Sequence, residues 1–345
     1  MSALDRVARG SPAGHSTAGR APHGRTAALR VSAPVPARHA REIAVPAAWL
    51  IAAMVSFIWR DLIVNARTGL FSALEAVIGL TLAVLYGLRI FPGPLRTAGN
   101  WLVALPVILT LWEIATAKTG ILPLPFFPPP QAIVEVYTDD FPRLAVSAGY
   151  SLALLLPGYL IGALAGFLIG VGIGWSRIVS YWGNPLLRFV GPLPATAWMP
   201  VAFYFFPTSR SASTFLIALA TAFPVAVLTA SGVRGVSKSL YDVARTFNAG
   251  TSFMLWRVAI PAALPNVFVG LFMGLGASFA VLIVAEMMGV KAGLGWYLQW
   301  AQGWAAYANL YGALLVMAFL FSGLIALLFA IRDRCLRWQK GMLQW

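Results

Sequence analysis

Residues 240–270 read LYDVARTFNAGTSFMLWRVAIPAALPNVFVG and form a polar, turn-interrupted stretch. Apolar runs long enough to cross a bilayer as an α-helix precede the stretch at 211–232 and follow it at 264–289. Charged and polar side chains are costly in the hydrocarbon core of a membrane. The stretch is therefore predicted to be a loop between two membrane-spanning helices, with a surface that contacts something other than lipid.

The first part of this loop has the pattern of a short amphipathic helix. One face, at the spacing i, i+3, i+4 and i+7, carries the apolar residues Leu240, Val243, Ala244 and Phe247. The opposite face carries Tyr241, Asp242, Arg245 and Thr246. Asn248 and Gly250 tolerate a left-handed turn after the helix, and Pro261 marks the start of the next span. We interpret the loop as a cytoplasmic docking element.

The whole chain has the composition of an integral membrane protein. Of its 345 residues, 59% are hydrophobic and only 10% are charged, against roughly 25% charged residues in an average soluble domain. Its mean hydropathy is +0.78. Apolar runs predict eight spanning helices, at 43–59, 70–91, 99–117, 146–174, 185–207, 211–232, 264–289 and 307–331. Five prolines interrupt the run at 185–207.

The basic residues predict the orientation of these helices. With both termini in the cytoplasm, 19 of the 25 lysines and arginines fall on the inner side, as the positive-inside rule requires. Those on the outer side are Arg60, Arg67, Lys118, Arg143, Arg210 and Lys291. Membrane topology also explains the net charge of +14, so no nucleic-acid partner is expected.

Several chemistries are missing from the sequence. It has no Gly-x-x-x-x-Gly-Lys-Ser/Thr loop for nucleotide phosphates and no paired His/Cys metal spacing. The single cysteine, Cys335, excludes an internal disulfide. Residues 1–41 contain all three histidines and one acidic residue, and we interpret them as a disordered cytoplasmic tail, although an Arg-rich start is also typical of an organellar transit peptide. The sequence predicts a non-catalytic membrane protein that cannot hydrolyse ATP by itself.

The 240–270 stretch resembles the cytoplasmic loop of membrane subunits of binding-protein-dependent ABC importers. That loop follows the pattern Glu-Ala-Ala, three residues, Gly, nine residues, Ile, one residue, Leu-Pro. In this chain the same spacing is kept by Asp242-Val243-Ala244, Asn248, Val258 and Ile260-Pro261. The resemblance implies that Asp242 and Arg245 contact an ATPase subunit. It also implies that Ala244 and Phe247 fill a groove on that subunit, and that Asn248 sets the turn.

A second resemblance covers residues 184–200, NPLLRFVGPLPATAWMP. The matching helix of nitrate, sulfonate, taurine and bicarbonate importer subunits carries a similar run. Non-helical backbone at membrane depth survives only where it is buried in protein or lines a wet cavity. The segment therefore either lines the substrate pathway or is an ordinary bent helix. The candidate pathway residues are Arg188, Pro192, Pro194, Trp198, Pro200 and, further along the chain, Glu286.

Acidic residues interrupt three of the apolar runs, where a charge is costly. They are Glu75, Glu113 and Glu286. Glu286 and the Gly-Leu-Gly at 293–295 resemble the same elements of the family, and both a structural role at a helix end and a gating or proton-sensitive role stay open. Glu75 lies outside the resemblance and has no assigned role.

Small and aromatic residues also form stripes. Gly162, Gly166, Gly170 and Gly174 repeat every four residues and predict a face on which another helix packs closely. Trp296, Trp300 and Trp304 recur on one helical face. These indoles either anchor the chain at the outer membrane interface or share in docking an external binding protein.

The resemblance covers the chain from about residue 99 and implies an all-α integral membrane protein with the type I ABC importer permease fold. About six core transmembrane helices are expected, with two extra N-terminal ones. The expected organisation is a tail at 1–41, two extra helices at 42–98, the transmembrane domain at 99–331 with its coupling loop at 234–262, and a cytoplasmic tail at 332–345. The expected location is the cell inner (plasma) membrane.

The resemblance also implies partners. Two copies of the permease enclose one pathway in the lipid bilayer, and two separate ATPase subunits bind ATP and Mg. A periplasmic or lipid-anchored binding protein delivers the substrate. This chain itself is expected to bind no cofactor or metal.

The resemblance suggests a small oxyanion or sulfonate as substrate, such as nitrate, bicarbonate, taurine or an alkanesulfonate. Arg188 or Arg210 could offer positive charge near the pathway, or each could simply mark a helix end. The alternative class is a secondary transporter, or another multi-helix membrane component not coupled to an ATPase. A secondary transporter would need repeated halves and ionisable residues near mid-membrane, and the sequence shows neither pattern.

Overall fold

A computed structural model describes residues 35–62, 65–88, 90, 99–191 and 193–339. Within these ranges the regular structure is helical, without strands. The longer α-helices are α1 (Val35–Ile58), α2 (Thr68–Gly87), α3 (Gly99–Glu113), α4 (Pro130–Asp139), α5 (Phe141–Trp175), α6 (Arg177–Val190), α7 (Met199–Phe205), α8 (Ser209–Arg234), α9 (Lys238–Thr246), α10 (Ile260–Met288), α11 (Leu294–Gly303) and α12 (Tyr307–Cys335). Residues 1–34 of the predicted tail lie outside the described residues, whereas residues 35–41, also predicted to be disordered, form the start of α1.

Six helical segments in the described part of the chain are long and apolar enough to cross a membrane. They are Thr68–Gly87, Gly99–Lys118, Phe141–Trp175, Ser209–Arg234, Thr251–Met288 and Tyr307–Cys335. Two of them include a π-helical turn, at Ile114–Lys118 and at Met254–Ala259. Six of the eight predicted spans fall on these segments. The predicted span at 43–59 falls on α1, whose apolar part, Ile43–Ile58, is shorter than a typical span.

The predicted span at 185–207 is wrong as a single helix. α6 ends at Val190, a short 3₁₀-helix follows at Ala195–Trp198, and α7 occupies only Met199–Phe205. Proline provides the physical reason. Pro194 has an extended backbone (φ −63°, ψ 138°) directly before the 3₁₀-helix, and Pro200 stands in the first turn of α7, where its missing N–H is tolerated.

α8 lies at the centre of the bundle, between α5 and α10. The core contains Leu154 and Leu155 of α5, Leu216 and Ile217 of α8, and Leu282 of α10. The glycine stripe Gly162, Gly166, Gly170 and Gly174 faces α8. A Cβ atom added at the last three positions would lie 2.5, 2.6 and 2.7 Å from atoms of α8. Because glycine has no side chain, the two helices can approach this closely.

α1 and α2 form a hairpin that packs on α3. A Cβ atom on Gly79 of α2 would come within 3.2 Å of Trp49 and Leu50, so this glycine lets α2 lie close to α1. The indole N–H of Trp49 donates to the Leu102 carbonyl of α3 over 2.9 Å. The hairpin is therefore attached to the rest of the bundle through α3.

α5 connects the two ends of the bundle. Near its first residue, the Tyr297 hydroxyl of α11 donates to the Asp140 carboxylate over 2.5 Å. At its last residue, Trp175 packs against Tyr241 of α9, with ring centroids 6.2 Å apart. α11 and α9 thus lie at opposite ends, which we call the α11 end and the α9 end.

The predicted tryptophan face is divided in the structure. Trp300 is half-buried, and the guanidinium of Arg143 lies 3.9 Å from its ring centroid. Trp304 is 75% exposed. The cation–π contact attaches α11 to the start of α5, so Trp300 packs within the protein and Trp304 is left at the surface.

Candidate functional site

α9 presents an apolar surface outward at the α9 end. The side chains of Leu240, Val243 and Phe247 are 47%, 58% and 81% exposed. Their spacing of three and four residues places them side by side on one flank of the helix. A contiguous exposed apolar surface marks a contact with another protein or with lipid. We call these three residues the α9 patch.

The inner flank of α9 packs on its own chain. Ala244 is only 7% exposed, and Tyr241 packs with Trp175 against the cluster that contains Val233 and Ala259. This burial raises the pKa of the Tyr241 hydroxyl. The expectation that Ala244 fills a groove on a partner is therefore wrong, as is the placement of Tyr241 on the polar face. The helix has two apolar flanks, one that packs on its own chain and one that is exposed. The spacing of apolar residues in the sequence had assigned both to a single face.

Asp242 and Arg245 lie on the remaining, polar side of α9. Their side chains form an ion pair of 3.2 Å and are 66% and 67% exposed. An exposed pair of this kind contributes about 0–1 kcal/mol to stability. Both charged groups therefore remain available to another protein beside the α9 patch.

The turn after α9 is a Schellman motif centred on Asn248. This residue has a φ of 55°, in the left-handed region. Its N–H donates to the Arg245 carbonyl over 2.9 Å, and the Ala249 N–H donates to the Ala244 carbonyl over 3.2 Å. The two bonds satisfy carbonyls that the end of the helix would otherwise leave unpaired. Asparagine adopts this conformation more readily than other side chains, which fits its place where the family pattern has glycine.

The chain returns to the bundle through a π-helical turn. Gly250 is extended (φ −72°, ψ 165°) and precedes the single helical turn Thr251–Phe253. The π-helical turn Met254–Ala259 then leads into α10, where Ile260 is the first residue and Pro261 stands in the first turn. Ala259 packs in one cluster with residues of α5 and α8. A displacement of α9 would therefore reach α10 through the turn at 247–250 and then through the helical backbone that begins at Thr251.

Two neighbouring cavities lie along α6, the 3₁₀-helix Ala195–Trp198 and α8. The first, of about 750 Å³, has the polar lining residues Asn184, Arg188, Ser231 and Arg234. The second, of about 480 Å³, is largely apolar and is lined by Pro194, Thr196 and Trp198 together with residues of α8 and α10. Gly191 and Phe223 line both cavities.

Gly191 and Phe223 are in contact where the two cavities adjoin. A Cβ atom added to Gly191 would lie 2.6 Å from Cε2 of the Phe223 ring. The glycine therefore leaves the space that the ring occupies, on the side shared by the basic cavity and the apolar one.

The structure places some of the candidate pathway residues at the two cavities and others elsewhere. Arg188, Pro194 and Trp198 line the cavities, whereas Pro200 is exposed and is not among the described lining residues. Pro192 lies outside the described residues. Arg210 stands in the first turn of α8, at the opposite end of that helix from the basic cavity.

Sequence reasoning missed Asn184 and Arg234 as cavity residues. Arg234 donates to Asn184 Oδ1 over 2.8 Å and so links the end of α8 to α6. The sequence contained a signal: an asparagine opens the proline-rich segment, and an arginine ends the next apolar run. The pairing joins residues 50 apart, which sequence spacing alone does not predict.

The hypothesis that Glu286 lines the pathway is wrong. Glu286 is 1% exposed and is absent from the described lining of both cavities. The Ser151 hydroxyl and the Gly295 N–H donate to its Oε2 over 3.0 and 2.7 Å. Gly293, at φ 102°, brings the backbone against the same carboxylate. Glu286 therefore fixes the turn between α10 and α11 onto α5, the structural role that the sequence left open.

The chain matches the family described as binding-protein-dependent transport system inner membrane component over residues 158–340. The chain belongs to this family. It is a permease subunit of an ABC importer with the type I fold, as the sequence predicts, and it is a multi-pass membrane protein. α1 and α2 lie outside the matched residues.

Three relatives illustrate the similarity. The chain is 28% identical to the putative aliphatic sulfonates transport permease protein SsuC of Bacillus subtilis, over 72% of this chain and 91% of that protein. It is 26% identical to the nitrate import permease protein NrtB of Synechococcus elongatus, over 69% and 87%. It is 31% identical to the taurine transport system permease protein TauC of Escherichia coli, over 56% and 73%.

Proposed function

We propose that this permease subunit takes its energy from a separate ATPase subunit that docks on α9. The observation that carries the proposal is the α9 patch, which leaves three large apolar side chains uncovered beside an exposed ion pair. Apolar anchors with a charged rim are typical of protein interfaces. ATP and Mg would bind to the partner, because this sequence has no phosphate-binding loop.

Closure of a pair of ATPase subunits would displace α9 as a rigid body. The Schellman turn holds α9 to the following chain, and the π-helical turn continues into α10. Contacts of Tyr241 and Ala259 with Val171, Trp175 and Val233 carry the same movement to α5 and α8. The mechanism is a two-state coupling in which the docked ATPase selects between inward-open and outward-open arrangements of these helices.

A second copy of the permease would complete the pathway. α6, whose residues line both cavities, also presents large apolar residues outward. These residues are Ile178, Tyr181, Trp182, Leu186 and Phe189, each more than 60% exposed. A twofold partner would cover this face and enclose the cavities, as isologous dimers do.

The substrate we propose is a small oxyanion or sulfonate. The named relatives transport aliphatic sulfonates, nitrate or taurine, and Arg188 and Arg234 place two positive charges at the larger cavity of this chain. In the proposed orientation α9 and both termini are cytoplasmic, and a periplasmic or lipid-anchored binding protein delivers the substrate at the α11 end. The lysine and arginine distribution supports this orientation.

Substitution of the α9 patch tests the proposal. The permease is reconstituted in liposomes with its ATPase and binding protein, and ATP hydrolysis and uptake are measured together. Phe247→Asp should lower both rates at least about tenfold. The substitution replaces a large apolar contact of the proposed interface with a charge and so weakens binding of the ATPase subunit. Trp338→Asp is the matched control, since Trp338 is also exposed (52%) but lies beyond α12. Wild-type rates in Phe247→Asp would contradict docking on α9.

A further inference from the structure

A buried polar cluster joins the α1–α2 hairpin to α3 and α4, outside the residues matched by the family. The α3 segment is α3 together with its π-helical turn, Gly99–Lys118. The members of the cluster are Ser56 of α1, Asp61 of the following loop, Glu75 of α2, Glu113 and Lys118 of the α3 segment, and Gln131 of α4. All except Asp61 are at most 4% exposed, and the side chain of Asp61 is 7% exposed. We call these six residues the hairpin cluster.

The hairpin cluster has three acids and one base. Lys118 Nζ lies 2.7 Å from Asp61 Oδ1 and 3.2 Å from Glu113 Oε1. It also donates to the backbone carbonyls of Ser56 and Trp59. One ammonium cannot neutralise three carboxylates, and a buried charge without a partner is very costly. At least one of the three acids must therefore be neutral or be compensated by a bound cation.

Proton counting at Ser56 identifies the neutral acid. Ser56 Oγ lies 3.0 Å from Glu75 Oε2 and 2.5 Å from Glu113 Oε2. The Ser56 hydroxyl has a single proton, so it can donate a hydrogen bond to only one of the two carboxyl groups. In the other contact the carboxyl group must itself be protonated and donate to Ser56 Oγ. Glu113 also receives donors from Lys118 and Gln131, which favour its ionised form.

Glu75 has the complementary surroundings. Its Oε1 has no hydrogen-bond partner among the described residues, although the side chain is 2% exposed. An unpartnered oxygen costs less on a neutral acid than on a carboxylate. The arrangement that satisfies both contacts of Ser56 has Glu75 Oε2–H donating to Ser56 Oγ, and the Ser56 hydroxyl donating to Glu113.

We propose that Glu75 is a proton-binding site, and that the bound proton holds the α1–α2 hairpin on α3 and α4. The groups that face the site are Ser56 on α1, Asp61 in the loop, Glu113 and Lys118 on the α3 segment, and Gln131 on α4. Loss of the proton would set two carboxylates against each other across one hydroxyl and separate these helices. Among the described residues, no group of three or more His, Cys, Asp or Glu side chains is placed to hold a metal ion. The two contacts of Ser56 are what call for a proton.

The position of the cluster determines which compartment supplies the proton. Ser56 lies in the last turn of α1 and Lys118 at the last residue of the α3 segment, before α4 and the start of α5. The site is therefore at the α11 end, which faces outward in the proposed orientation. The hairpin would respond to the pH on that side of the membrane.

Infrared spectroscopy of the full-length chain in lipid nanodiscs tests the proton directly. At neutral pH the wild type should show a carboxylic-acid C=O band that shifts in heavy water, and Glu75→Gln should lack that band. Glu135→Gln is the control, because Glu135 lies on α4 but outside the cluster, and it should keep the band. Ser56→Ala keeps every acid but removes the acceptor, so it should move the band. A spectrum unchanged in Glu75→Gln or in Ser56→Ala would overturn the proposal.

Unfolding equilibria in mixed micelles give a second test with a defined sign. The test applies in the pH range where Glu75 keeps its proton in the folded protein but has lost it in the unfolded chain. In that range stability falls as pH rises, and Glu75 should make the unfolding constant of the wild type increase about tenfold per pH unit. Glu75→Gln should lose that dependence, because an amide N–H can replace the acid as donor to Ser56. Equal pH dependence in Glu75→Gln and wild type would overturn the proposal.

Discussion

Asn248 and Gly293 both have a positive φ, and each shapes the boundary of a helix with a function. Asn248 (φ 55°) ends α9, and Gly293 (φ 102°) starts α11 beside the buried carboxylate of Glu286. The two positions differ in what they tolerate. Asn248 is exposed, so the backbone conformation is the main restriction there, whereas at Gly293 the neighbouring carboxylate also occupies the space of a Cβ atom.

Asn248→Val should uncouple ATP hydrolysis from uptake. A β-branched residue in the left-handed region costs roughly 1–2 kcal/mol or more, so the Schellman turn would open and α9 would lose its fixed position. Asn248→Gly is the matched control and should couple normally, since glycine adopts the same conformation freely. The ratio of uptake to ATP hydrolysis in proteoliposomes measures the effect. Normal coupling in the valine variant would show that the turn does not transmit movement.

Gly293→Ala should destabilise the permease. The positive φ alone costs about 1–3 kcal/mol for a side chain, and the added methyl group would also displace the Glu286 carboxylate. Gly323→Ala is the control, because a Cβ atom there meets nothing within 4 Å. It should be neutral or slightly stabilising, since alanine favours a helix over glycine by up to about 1 kcal/mol. Denaturant titration in mixed micelles measures the stability of both variants. Equal stability would contradict the role of Glu286 in fixing the turn between α10 and α11.

The glycine stripe of α5 determines how close this helix lies to α8. At Gly166 an added Cβ atom would lie 2.5 Å from the Ala222 carbonyl oxygen, which belongs to rigid helical backbone. The neighbouring helix cannot move one atom aside, so the helices must separate. Close packing of this pair also holds Trp175 and Val233 beside α9.

Gly166→Ala should therefore lower the free energy of unfolding by about 1–3 kcal/mol, the usual cost of overpacking a core. Gly149→Ala on the same helix is the matched control, because its Cβ atom would meet nothing within 4 Å. Unfolding in mixed micelles compares the two variants. A cost for Gly149→Ala equal to that for Gly166→Ala would mean that helix propensity, and not contact with α8, decides the effect.

The long helices could be predicted from hydropathy, because a run such as 307–331 is apolar throughout and has one way to satisfy its backbone in lipid. The broken segment at 185–207 could not, since average hydropathy does not register where Pro194 and Pro200 stop a helix. The two flanks of α9 were also merged, because periodicity groups Ala244 with Phe247 although one is buried and the other exposed. Which flank packs inward depends on Trp175, a residue of another helix.

The whole molecule separates its tasks between two ends. The α9 end carries the α9 patch, while the α11 end carries the hairpin cluster and the turn that Glu286 fixes. Sequence reasoning found Glu75 and Glu113, because a charge in an apolar run is conspicuous, but it passed over Asp61, which lies in a loop. It did not find their partners, since Ser56 and Glu113 are 57 positions apart and only the packing of α1 on α3 brings them together.

The central claim is that α9 lies in the cytoplasm and is covered there by an ATPase subunit. Labelling of Phe247→Cys in a Cys335→Ser background tests it, because Cys335 is the single native thiol and is exposed. We expect a membrane-impermeant thiol reagent to modify this position from the cytoplasmic side alone, and the ATPase subunit to protect it. Modification from the external side, or labelling that the ATPase subunit leaves unchanged, would contradict the account.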